Sequence, residues 1–189
     1  FDAVLSRSVL VHLLEASDPR TPAVVDAARR SAVATDARFL RVLDVVEEDT
    51  GAYVVSEFAP GHSLQLLLAT GPLSARESAW LVREIADALA VMHAQGLYHE
   101  RVSPETVMIT PTGNIKIAGF LISAALHPGD GHTDPETTDV RDLGRILYAT
   151  VVSRWPGGPA HGLPAAPHSG ARLLSPRQVR AGVSPAHLG

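Results

Sequence analysis

Four residues, Ser74-Ala75-Arg76-Glu77, constrain this chain more than any others. They match the S-x-x-E capping box, in which a serine hydroxyl and a glutamate carboxylate satisfy backbone donors at a helix start. Leu81, Ile85, Ala88, Leu89 and Met92 then recur at spacings of three and four, which predicts a single apolar face. Gly96 is suited to stop the helix, so a long amphipathic helix is expected from residue 74 to about residue 94. Such a face has to be buried, and the rest of the chain must supply the layer that covers it.

Upstream, residues 7–14 (RSVLVHLL) read as a buried strand and residues 24–34 as a helix. Residues 39–49 and 51–58 read as two strands joined through the acidic turn Glu47-Glu48-Asp49-Thr50-Gly51, a hairpin. After Ala59-Pro60-Gly61 the character changes. A short helix over 63–69 precedes the capped helix. Residues 107–110 and 114–120 flank Pro111-Thr112-Gly113 as a second hairpin. A further helix over 138–152 is expected to bury Val140, Leu143, Ile146, Leu147 and Val151. Beyond Trp155 the chain is rich in Pro, Gly, Ala and His and reads as a loop with a short helix near 175–181. The expectation is an α+β chain with a small strand-rich lobe over residues 1–58 and a helical lobe over 59–189.

An apolar fraction of 46% with 19% charged residues is a globular composition. A net charge of −4 and no basic stripe give nucleic-acid binding no electrostatic support. The absence of cysteine excludes disulfides and thiolate metal sites. Nine histidines are scattered without H-x-x-x-H or H-E-x-x-H spacing, so no metal site is expected. No apolar run is long enough to span a membrane, and no signal peptide is visible. The expected location is the cytoplasm. The chain begins at Phe1 without an initiator methionine and reads as a piece of a longer protein, with any membrane anchor expected in segments outside it.

Residues 98–110, YHERVSPETVMIT, have the rhythm of a histidine, a polar Pro-Glu loop and an apolar run. Four other stretches fall in a matching order: VLVHLL, SEFAPGHSL, NIKIAGF and TTDVRDLGRILYATV. Together they resemble the eukaryotic-like Ser/Thr protein kinases of bacteria. The resemblance implies a two-lobed kinase-like fold, here with a truncated N-terminal β lobe and a reduced helical C-terminal lobe. VLVHLL is similar to the strand that carries V-A-I-K, SEFAPGHSL to the interlobe hinge, YHERVSPETVMIT to H-R-D-L-K-P-E-N, and NIKIAGF to the approach to D-F-G.

Phosphoryl transfer needs a lysine on the phosphates, carboxylate and amide oxygens on metal ions, and a base beside the acceptor hydroxyl. On the resemblance, the lysine position falls on His12, and its glutamate partner near Ala27, with Asp26 the nearest carboxylate. Lys116 is the only lysine in the chain and lies elsewhere in the sequence. The base position falls on Arg101, and a guanidinium accepts no proton at any relevant pH. The catalytic-loop lysine becomes Ser103, the metal-binding asparagine Thr106 and the D-F-G aspartate Gly119. A register slip that makes Glu100 the base would misplace Pro104-Glu105. Mg²⁺ is left without a carboxylate ligand. Neither Ser56 nor Ser103 lies in a G-x-S-x-G elbow that would make it a nucleophile.

What the resemblance keeps is structural: His99 under the loop, Phe120 in the core, and Asp139 holding the catalytic-loop backbone. The hinge Glu57, Phe58 and Ala59 still offers backbone groups to an adenine, behind a small residue at Ser56, so ATP binding is expected to be weak or absent. The implied protein is a pseudokinase, a scaffold or regulatory module. Some degenerate relatives are linked to cell-envelope synthesis, accompany a lipid II flippase and are recognised by phosphothreonine-binding forkhead-associated domains. A protein partner of that kind is expected, with Thr133 as the candidate phosphosite among Thr133, Thr137 and Thr138.

Overall fold

The computed structural model describes residue 2, residues 6–129 and residues 134–183. β1 (Val9–Glu15) and α1 (Thr21–Ser31) lead into the hairpin of β2 (Val42–Glu48) and β3 (Gly51–Glu57). These strands form an antiparallel sheet in the order β1-β3-β2, with a register shift between Val42 and Asp44. β3 is therefore central, and its alternation buries Ala52, Val54 and Ser56 on one face. β1 is not the buried strand its sequence predicts. It lies at the end of this sheet, and Leu13 is 81% exposed. α1 covers the inner face of the sheet with Val24 and Ala28, which pack on Val54.

β4 (His62–Ser63) opens the second part, followed by α2 (Leu64–Thr70) and α3 (Ala75–His93). Gly61, at φ +131°, has the place where a Cβ would sit only 2.2 Å from the Ile109 carbonyl oxygen, so no side chain fits at this crossing. The capping box is present as predicted: Glu77 N donates to Ser74 Oγ at 3.2 Å, and Ser74 N to Glu77 Oε2 at 2.9 Å. Leu81, Ile85, Ala88, Leu89 and Met92 are all buried. β5 (Val107–Ile109) and β6 (Ile115–Ile117) join β4 in a second antiparallel sheet. The two parts are stitched by Leu40 N to Ile117 O (2.9 Å) and Ile117 N to Arg38 O (2.7 Å).

A short helix absent from the sequence reading, α4 (Ile122–Leu126), follows β6. Next comes α5 (Pro135–Val152), which packs on α3. Its N-cap is Asp134, whose carboxylate accepts from Thr137 N at 3.0 Å. The helix starts three residues before the predicted Thr138, because Asp-Pro supplies both a capping acceptor and a preset φ. Val140, expected on the inner face, is 60% exposed, while Ile146 and Val151 are buried. The chain beyond Trp155 is more ordered than a loop. β7 (His168–Ser169) and β8 (Arg172–Leu173) form a hairpin before α6 (Pro176–Val179). Arg180 Nη1 then donates to Leu73 O (2.8 Å) and Val151 O (2.9 Å), tying the segment to α5. Among the described residues no helix is long and apolar enough to cross a membrane.

Candidate functional site

The loop before β5 is built around Asp139, which is fully buried on α5. Its Oδ2 accepts from His99 N (2.9 Å) and pairs with His93 Nε2 (2.8 Å), and its Oδ1 accepts from Glu100 N (2.7 Å). The carboxylate fixes the loop from below, and Glu100 is held at φ +60°, a conformation uncommon for a non-glycine residue. His99 is also fully buried, and its Nε2 lies 3.1 Å from the Ala118 carbonyl. Burial holds this imidazole below its ordinary pKa, so it is a neutral strut. Phe120 completes the base of the loop, with ring centroids 4.7 Å from Phe39 and 6.1 Å from His99.

Two side chains at positions of expected chemistry are spent on the loop itself. Thr106 Oγ1 accepts from Ser103 N (2.9 Å) and donates to Ser103 O (3.1 Å). Ser103 is buried, and its Oγ accepts from Glu105 N at 3.3 Å. A hydroxyl closing a tight turn in both directions has little left to offer a cation.

His12, Ser56, Glu57, Thr106 and Gly119 line one cavity of about 230 Å³ between the two sheets. Arg101 and Ser103 are not in it. They line a neighbouring groove with Asp142, Arg145 and His161. Of the hinge residues only Glu57 borders the cavity; it also lines, with Phe58, Ala59 and Lys116, a separate hollow. Glu57 N donates to Arg41 O at 2.9 Å, and its carboxylate accepts from Arg41 Nη2 at 2.6 Å. Asp26 is exposed on α1 and pairs with Arg30 at 2.9 Å, while Ala27 is buried at the α1 inner face. The candidate phosphosite Thr133 lies outside the described residues.

The sequence resemblance implies ATP and Mg²⁺ here, and the donor set does not fit the metal. Gly119 has no side chain, and at φ +74° an added Cβ would fall 2.0 Å from Ser123 Oγ. Among the described residues no three His, Asp or Glu side chains gather as a cation site. The triphosphate fits no better. None of the described residues lining the cavity is Lys or Arg, and burial lowers the pKa of His12, which keeps it uncharged. Ile122 and Leu126 of α4 project into the space, and the volume is below the roughly 300–1,000 Å³ usual for small-molecule sites. The strain of this arrangement is visible at Leu121, buried at φ +63°.

Protein kinase sequences are similar to this chain. The sequence model of the Protein kinase domain family matches residues 32–140, more than half the chain. The chain belongs to the protein kinase family. Serine/threonine-protein kinase PknA of Mycobacterium tuberculosis is 29% identical over 185 residues, covering 82% of this chain and 43% of that protein. Serine/threonine-protein kinase PrkC of Bacillus subtilis is 28% identical over 180 residues, covering 82% of this chain and 28% of that protein. CBL-interacting protein kinase 17 of rice (Oryza sativa subsp. japonica) is 35% identical over 140 residues, covering 62% and 31%. The chain thus spans less than half the length of these curated relatives. The protein kinase match begins after α1 and leaves His12 outside it.

Asp142, on the groove beside Arg101, yields a pH prediction. Burial pushes its carboxyl up to about 6, against the opposing pull of Arg145 at 3.1 Å. A carboxyl whose folded pKa lies above its unfolded value adds stability at low pH. That stability is lost as pH rises from about 4 through 6. Asp142→Asn should therefore gain about 1–2 kcal/mol over the parent at pH 8 once partial solvent screening is allowed for. It should gain nothing below pH 4. Urea unfolding at the two pH values checks this, and an equal difference at both would count against the burial argument.

Proposed function

We propose that this kinase-like domain does not transfer phosphate and acts as a regulatory or scaffolding module that binds another protein. The observation that carries the reading is Gly119. On the sequence resemblance it falls where metal-assisted phosphoryl transfer needs a carboxylate, and at φ +74° against Ser123 it has no side chain to offer one. Thr106, whose hydroxyl is bonded to the Ser103 backbone, Ser103, whose hydroxyl accepts from Glu105 N, and the guanidinium of Arg101 support it. Under this reading the partner is a protein, of which a phosphothreonine-binding domain is one candidate. Cell-envelope signalling is one setting in which such a module would work.

A second reading is an atypical Ser/Thr protein kinase with weak ATP binding. It is favoured by the similarity to two bacterial proteins named serine/threonine-protein kinases. The experiment that separates the two pairs a thermal-shift titration of ATP, with and without Mg²⁺ or Mn²⁺, with a phosphate-transfer assay. The first reading expects no shift at millimolar nucleotide and no transfer. A large metal-dependent shift together with transfer would establish the second.

A further inference from the structure

Arg101 sits where two grooves meet. One, of about 600 Å³, runs between α1, α4 and the start of α5, and the other, of about 460 Å³, runs under the 155–161 segment. Glu100, Arg101 and Thr138 line both. Among the described residues lining the joined groove, four are arginines, Arg30, Arg101, Arg141 and Arg145, and three are carboxylates, Asp26, Glu100 and Asp142. Two of those carboxylates are already engaged within their own helices, Asp26 by Arg30 at 2.9 Å and Asp142 by Arg145 at 3.1 Å. The side chains of Arg101 and Arg141 make no ion pair or hydrogen bond with any other described residue, although the charge of Arg101 reaches Asp142 and favours its ionised form. Burial and the nearby Asp139 raise the pKa of Glu100, which weakens it as a counter-charge. His127 borders one groove and His161 the other. On a chain of net charge −4, this is a local surplus of positive charge.

We propose that the groove passing Arg101 binds a phosphorylated serine or threonine side chain of another protein. The proposal rests on the reading of the domain as a non-transferring binding module and names the class of its ligand. A carboxylate at the Arg101 position would accept the proton of an unmodified hydroxyl. The guanidinium reverses that preference, because it has no lone pair with which to accept a hydroxyl proton and attracts a dianionic phosphate through paired N–H donors. Two unpartnered guanidiniums suit a phosphate monoester, with a charge near −2, better than a single carboxylate. The shape points to a peptide and not to a nucleotide. The grooves are open, walled by Ala23, Ala124, Gly157, Gly158 and Pro159, and the one indole on them, Trp155, is buried edge-on against His161. No aromatic face is left among the described residues lining them for a base to stack on.

The test is fluorescence anisotropy at low salt with a labelled peptide pool carrying one phosphothreonine in random flanks. Its unphosphorylated twin, and inorganic phosphate as competitor, run in parallel. The phosphorylated pool should bind at least about tenfold more tightly than its twin. Arg101→Gln and Arg141→Gln should each weaken binding by about five- to tenfold, while Arg76→Gln, on a residue lining neither groove, should change nothing. Arg141 is exposed on α5, so its variant keeps the test valid should Arg101→Gln fold poorly. Equal binding of the two pools, or no effect of either groove substitution, would overturn the proposal. So would competition by inorganic phosphate at peptide-like concentration, which would reduce the groove to a simple anion site. Phosphate transfer by the unmodified chain would sink the non-transferring reading by itself, whereas the binding series alone decides the groove.

Discussion

Asp139→Ala is expected to destabilise the chain by about 3–5 kcal/mol, a large share of the stability of a domain this size. The carboxylate has no solvent exposure and takes three hydrogen bonds: from His99 N, Glu100 N and His93 Nε2. Its removal orphans two backbone donors at the loop and the imidazole of α3. A buried donor left unpaired costs about 1–3 kcal/mol. Glu100 would also lose the bond that holds its backbone at φ +60°. Asp139→Asn keeps one acceptor oxygen and should cost about half as much. Urea unfolding of the three proteins measures this. A cost below about 1 kcal/mol for alanine would show that the loop is held by its apolar contacts instead.

Phe120→Ala should cost a similar amount, about 3–5 kcal/mol, for a different reason. The ring is 2% exposed and fills the space between Phe39 and the His99 imidazole, so truncation leaves a cavity that three elements share. Phe120→Leu fills most of that volume and should cost about 1–1.5 kcal/mol. The ratio between the two variants in thermal or urea unfolding is the useful readout. A cavity that collapses freely would make the alanine variant as mild as the leucine one, and would remove Phe120 from the role of supporting the loop.

These two residues show how much of the molecule is legible in its sequence. Ser74 and Glu77 announce their helix because capping is local chemistry, and the apolar positions of α3 are periodic. Asp139, His99 and Phe120 carry no local signal. Their roles are expected only from the order of motifs that resembles the kinases; in the structure Asp139 accepts from His99 N, and His99 Nε2 lies against the Ala118 carbonyl. α4 has neither cap nor period. It forms because Ile122 is buried against Val24, Ala28 and Val54, a contact between residues distant in sequence. Asp134 is legible, since Asp-Pro is a helix-start signal, but the apolar periodicity alone sets the boundary at Thr138. That the Thr106 hydroxyl turns back on the Ser103 backbone, and that Arg101 and Arg141 line one groove, are facts that spacing cannot give.

The central claim is that the fold of a kinase site survives here without its chemistry. The most direct measurement is phosphate transfer from γ-labelled ATP by the purified chain, with Mg²⁺ and then Mn²⁺, to itself and to a general acceptor protein. The account predicts incorporation no greater than in a blank without protein at every nucleotide concentration. Incorporation that rises with protein concentration and requires the metal would contradict it.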